Sequence, residues 1–134
     1  MAYRADSNVI LPARVLLALL FVVSGINKGI SWGGTIGYFT KLGIPAPEAV
    51  LVAVIALEVL GGLALIIGWQ VKVAALALAA FTIGAALIGH AFWSFEGQQF
   101  NAQLTQFLKN LSIAGGLLLL AFTPAANNVP ARDR

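Results

Sequence analysis

Residues 49–67 read AVLVAVIALEVLGGLALII, an apolar run broken by a single charge at Glu58. The run is close to the ~20 residues that carry a helix across a ~30 Å hydrocarbon core, so a bilayer is its natural setting. An acid at the centre of such a helix costs roughly 2.5–3.5 kcal/mol even on the most lenient insertion scale. Glu58 is therefore expected either to be protonated or to face a partner, and the partner has to come from elsewhere in the chain.

The rest of the sequence extends the pattern. Hydrophobic residues make up 60% of it and charged residues 10%, with a mean hydropathy of +0.91, whereas soluble domains carry roughly 25% charged residues. Four apolar spans can be read, at residues 9–28, 47–67, 71–92 and 104–122. The expected fold is all-α, an integral membrane four-helix bundle, with residues 1–134 forming one transmembrane domain. The tails, 1–8 and 123–134, have neither pattern nor length and are expected to be mobile. Arg4 and Arg14 precede an apolar stretch, Val15 to Val23, of signal-peptide length. The following Ser24-Gly25-Ile26-Asn27-Lys28-Gly29 has no clean small-x-small cleavage site, so the first span is expected to be retained.

Basic residues orient the bundle. Arg4, Arg14, Lys72, Arg132 and Arg134 gather at one side of a four-span arrangement, and Lys28, Lys41 and the deeper Lys109 at the other, which predicts cytoplasmic N- and C-termini. The link Gly68-Trp69-Gln70-Val71-Lys72 is short enough to make the second and third spans antiparallel neighbours, with Trp69 as an interfacial anchor. In the first outer loop, ISWGGTIGYFTKLGIPA at residues 30–46, Ile36, Phe39 and Leu42 recur at helical spacing, which predicts a short helix lying in the interface. Gly43 would close it, and Pro45-Ala46-Pro47-Glu48 opens the next helix with a proline and an acid in its first turn. The second outer loop, Ser94 to Gln103, is the most polar part of the folded region.

Cysteine is absent, which removes thiol–disulfide exchange, iron–sulfur ligation and covalent haem attachment together. One histidine, His90, excludes a bis-histidine haem within one chain. No nucleophilic triad, phosphate loop or metal-ligand cluster is present, and the net charge of +3 follows from topology rather than from nucleic-acid binding. Redox chemistry, if the protein takes part in any, would have to use a bound organic cofactor or a partner.

The polar residues inside the spans sort by depth at about 1.5 Å per residue. Lys28, His90, Lys109 and Asn110 fall in the outer half, above Glu58 near the middle. Arg14 lies in the inner half of the first span, and its long guanidinium gives it two fates, an ion pair with Glu58 or snorkelling to the cytoplasmic surface. Lys28 also fits a plain helix-boundary role and His90 a structural one, whereas Lys109 and Asn110 sit between Phe107-Leu108 and Leu111 rather than at a polar edge. Gly25 and Gly29, Ala80 and Gly84, Gly61-Gly62 and Gly115-Gly116 mark places where helices could approach closely.

Four motifs in order, Gly25-Ile-Asn-Lys28, Glu58-Val-Leu-Gly61-Gly62 closing on Gly68, Gly89-His90-Ala-Phe-Trp93, and Phe107-Leu-Lys109-Asn110-Leu-Ser-Ile-Ala-Gly115-Gly116, resemble the DoxX family from about Leu11 to Phe122. The resemblance implies a four-helix bacterial inner-membrane protein with a basic residue early in the first helix, here Arg14, and the acid in the second, here Glu58. It also implies a link to quinone-dependent oxidoreductases or to redox and oxidative-stress partners.

Two functions fit these residues. In one, Lys28, His90, Lys109 and Asn110 offer donors to the head-group carbonyls of a quinone or similar lipophilic molecule, and Glu58 stores or relays a proton. In the other, the polar cluster only fixes helix register and the outer loops recruit a redox or stress-response partner, with catalysis left out. A homo-oligomer suits either, and transport is disfavoured because four spans are few for a pathway.

Overall fold

Apolar periodicity and turn chemistry together set the helix boundaries in the computed structural model, which describes residues 7–127. The elements are α1 (Ser7–Ile30), α2 (Trp32–Lys41), α3 (Pro47–Ile67), α4 (Val71–Gly89), a single 3-10 turn at Phe92–Ser94, α5 (Gly97–Ala121) and α6 (Pro124–Asn127). Among the described residues, α1, α3, α4 and α5 are the four helices long and apolar enough to cross a bilayer. The fold is thus an all-α four-helix membrane bundle, with α2 as the short helix expected in the first long loop.

Local chemistry explains the sharp corners. Pro47 occupies the first turn of α3, where its missing N–H is not needed, and Glu48 beside it meets the positive end of the helix dipole. At the other end Gly68 adopts φ 78°, a left-handed cap natural to glycine. The Gly68 and Trp69 amides both donate to the Ala64 carbonyl at 3.0 Å, and the chain re-enters α4 at Val71.

Helix α1 runs antiparallel to α3 in one continuous register. The Gly25 backbone lies against Glu58 and Val59, Gly62 against Ala18 and Val22, and Gly68 against the Arg14 guanidinium. A Cβ at Gly62 would sit 2.6 Å from Val22 Cγ2 and 3.2 Å from the Ala18 carbonyl oxygen, so the approach depends on glycine. Helix α3 meets α4 through Gly61 and Leu78, and α4 lies along α5. The solid core occupies the half of the bundle that contains the α3–α4 corner, where Ala18, Leu65, Ala75, Leu78 and Leu117 are fully or almost fully buried. Leu16, Leu60, Ile67, Val73 and Leu119 point outward with more than half their surface exposed, as lipid-facing side chains do.

Three boundaries differ from the sequence reading. The fourth span begins at Gly97 rather than at residue 104, because the polar stretch from Gln98 to Gln103 forms helix instead of loop, and Phe100 seats edge-on against Phe92 at 5.6 Å. Glutamine is a good helix former, and hydropathy alone hides that. The helix of the third span stops at Gly89 with His90 as its cap, while the apolar span itself runs on through the 3-10 turn to Ser94. The second tail is not wholly patternless: Pro124–Asn127 turns once as α6, Ala126 is buried, and Asn127 Nδ2 donates to the Ala121 and Thr123 carbonyls at 3.0 Å each. Arg4, Arg132 and Arg134 lie outside the described residues.

Candidate functional site

The partner of Glu58 is Lys28. The ammonium donates to Glu58 Oε1 at 2.9 Å and to Oε2 at 3.0 Å, while a third proton goes to Ser24 Oγ at 3.0 Å. Ser24 and Lys28 are four residues apart on α1, so they share one helix face, and the α1–α3 register brings that face onto Glu58. Glu58 keeps only 3% of its surface exposed, and Gly25 makes room for it: a Cβ there would lie 3.2 Å from Glu58 Cβ. With three acceptors around it, the ammonium can commit all three of its protons within the protein.

Over this pair the bundle is hollow. A cavity of about 650 Å³ fills the half toward α2, and Lys28 and Glu58 form part of its wall. Helix α1 contributes Leu20, Phe21 and Ser24, α3 contributes Val50 and Val54, and α4 contributes Phe81, Thr82 and Ile88. Helix α2 covers the end with Tyr38 and Phe39, and α5 contributes Asn110. The wall is mainly apolar with a few polar groups set into it, which is the usual make-up of a small-molecule site. Leu20 on α1, Tyr38 on α2 and Ile88 on α4 line the cavity and are still 47%, 45% and 54% exposed, so its wall reaches the bundle surface at each of these positions.

Of the residues singled out from sequence, Lys28, Glu58, His90 and Asn110 meet at this cavity. His90 Nδ1 lies 2.8 Å from Gln103 Oε1, so the histidine is held by the same polar stretch that proved helical. Lys109 does not join them: it is exposed and absent from the cavity wall. Successive helical residues are rotated by about 100°, and with Asn110 turned inward Lys109 has to face away. The expected Arg14–Glu58 pair is likewise not formed. The register sets Arg14 level with Gly68, ten residues (68 − 58) or roughly 15 Å along α3 from Glu58, beyond the reach of a side chain. Arg14 Nε is instead buried there without a hydrogen-bond partner among the described residues.

Three contributors were not singled out from sequence. Ser24 was detectable as the residue four before Lys28. Tyr38 donates from its hydroxyl to the Gly89 carbonyl at 3.1 Å and so ties α2 across the cavity to the end of α4; burial raises its hydroxyl pKa above the ordinary value. Thr82 is buried at the wall and returns its hydroxyl proton to the Leu78 carbonyl at 2.7 Å. Neither of the last two carries a sequence signal beyond residue type.

The DoxX family model matches residues 9–91. The chain is similar to two proteins of Escherichia coli (strain K12). It is 33% identical to "Inner membrane protein YphA" over 92% of this chain and 89% of that protein. It is 38% identical to "Inner membrane protein YqjF" over 90% and 88% respectively. A shorter likeness, 32% identical over 54% of this chain and 52% of the relative, is to "Putative oxidoreductase CatD" of Bacillus subtilis (strain 168). No solved structure matches the chain significantly.

Proposed function

The chain belongs to the DoxX family and is a multi-pass inner-membrane protein, and from that premise we propose that it binds a quinone-class molecule in the cavity beside the Lys28–Glu58 pair. The observation that carries this reading is a largely apolar hollow of about 650 Å³ with an ion pair in its wall whose acid is buried. That volume lies within the ~300–1,000 Å³ typical of ligand pockets. A fully packed bundle would be more stable, since unfilled apolar space forfeits dispersion contacts.

In this reading the isoprenoid tail leaves past Leu20 into lipid, and the polar head rests among Glu58, Asn110 and His90. Glu58 is the group placed to accept and hold a proton from the head. Electrons stay on the ligand or pass to a redox partner, since the chain has no thiols of its own. The name of the Bacillus subtilis relative supports a redox setting over about half of each chain.

The test is chemical. Protein purified in mild detergent is extracted with organic solvent and analysed by mass spectrometry; a quinone-class lipid near one per chain is expected. Content no higher than that of an unrelated membrane protein prepared in parallel contradicts the proposal.

A second reading rests on the same ion pair. Lys28 and Glu58 join α1 to α3, and with three acceptors around the ammonium they could serve only as a register pin in a scaffold that recruits another subunit. Under it, Glu58→Gln weakens assembly without changing the content of any small molecule.

A further inference from the structure

The hydrogen bonds left unmade around the cavity are unequal in kind, and this bears on which form of the ligand it holds. Lys28 already has three acceptors within the protein for its three protons. Tyr38 has given its proton to the Gly89 carbonyl and Thr82 its own to the Leu78 carbonyl. Each oxygen of Glu58 accepts a single bond from Lys28, so both retain acceptor capacity. Glu58 is almost wholly buried and lines the cavity, and a ligand there is the group able to use that capacity. His90 adds to the same side of the balance. The Gln103 amide oxygen, 2.8 Å from Nδ1, is satisfied by the tautomer that carries the proton on Nδ1 and leaves Nε2 as an acceptor. The donors that remain are the Ser24 hydroxyl hydrogen and the Asn110 amide, and the amide serves either kind of ligand atom.

We infer that the cavity prefers a head group that donates hydrogen bonds, so that, on the quinone-class reading above, it holds the reduced quinol in preference to the quinone. A quinol O–H meeting the Glu58 carboxylate makes a charge-assisted hydrogen bond, roughly twice as strong as a neutral one. A quinone carbonyl offered to the same carboxylate meets only lone pairs and has to rely on Ser24 and Asn110. A site that binds the reduced form tenfold more tightly raises the midpoint potential of the bound two-electron couple by about 30 mV.

The experiment is equilibrium binding of a short-tailed quinol, the matching quinone and an isoprenoid alcohol of equal tail length to the full chain in lipid nanodiscs, without oxygen. The quinol is expected to bind at least tenfold more tightly than the quinone. Glu58→Gln, which turns an amide donor toward the head, should reduce that ratio below about threefold, and Glu58→Asp should keep most of it. Gln103→Leu, outside the cavity wall, should lower it by a smaller factor by releasing the His90 tautomer, and it serves as the check if Glu58→Gln does not fold. Equal or tighter binding of the quinone overturns the preference and leaves the quinone-class reading intact. Binding of neither overturns both. An isoprenoid alcohol that binds as tightly as the quinol upholds the preference for a hydroxyl donor and removes the quinone assignment.

Discussion

At the scale of the residue, one buried acid determines its surroundings. Glu58 is held by two bonds from Lys28, and Lys28 by a further bond to Ser24. Removing one partner leaves the other charge buried and unsatisfied, a loss of about 1–3 kcal/mol for a pair in which Lys28 is partly exposed. Glu58→Ala should therefore lower the melting temperature of the detergent-solubilised protein, and Lys28→Met combined with Glu58→Met should recover most of the loss. A single variant as stable as the double one would show that the pair adds nothing. The need for a partner was legible in the sequence, because an acid in the middle of an apolar run leaves few alternatives. Which cation it takes was not legible. Arg14 and Lys28 lie on nearly the same helix face, and the choice between them is made by the α1–α3 register, which depends on how Gly25, Gly62 and Gly68 admit the facing helix.

At the scale of the element, α1 against α3 is the close contact, and glycine permits it. Gly62→Ala sets a methyl 2.6 Å from Val22 Cγ2 and 3.2 Å from a backbone carbonyl, so it should destabilise the bundle by about 1–3 kcal/mol in a thermal melt. Gly115→Ala meets nothing within 4 Å and lies in mid-helix, so it should not lower the melt and should stabilise by up to about 1 kcal/mol. Helix α5 gives a second contrast between neighbours. Asn110→Ala should lower the amount of co-purifying ligand, whereas Lys109→Ala should leave both ligand content and stability unchanged, within about 0.5 kcal/mol for the latter. An equal effect of the two would contradict the orientation of α5. The sequence showed these residues to be at membrane depth but not which one faces inward, since the apolar residues around them surround both. The first turns of α5 were hidden for a different reason: their glutamines lower the hydropathy without lowering the helical tendency.

At the scale of the molecule, the bundle is solid in one half and hollow in the other. The solid half, around Leu65, Leu78 and Leu117, keeps the four helices together at the α3–α4 corner. The hollow half lies under α2, where α5 supplies only one residue to the wall. Apolar length and composition gave the four spans, but the hollow could not be read from them, because a cavity consists of what the side chains fail to fill. Leu20→Trp, where the cavity wall reaches the surface on α1, should hinder ligand access and lower ligand content with little loss of stability. The most direct measurement is native mass spectrometry of the wild-type chain released from mild detergent, with Glu58→Gln and Leu20→Trp alongside. One bound quinone-class mass per wild-type chain, diminished in both variants, is expected; a wild-type spectrum carrying only the unliganded mass would contradict ligand binding as the purpose of the cavity.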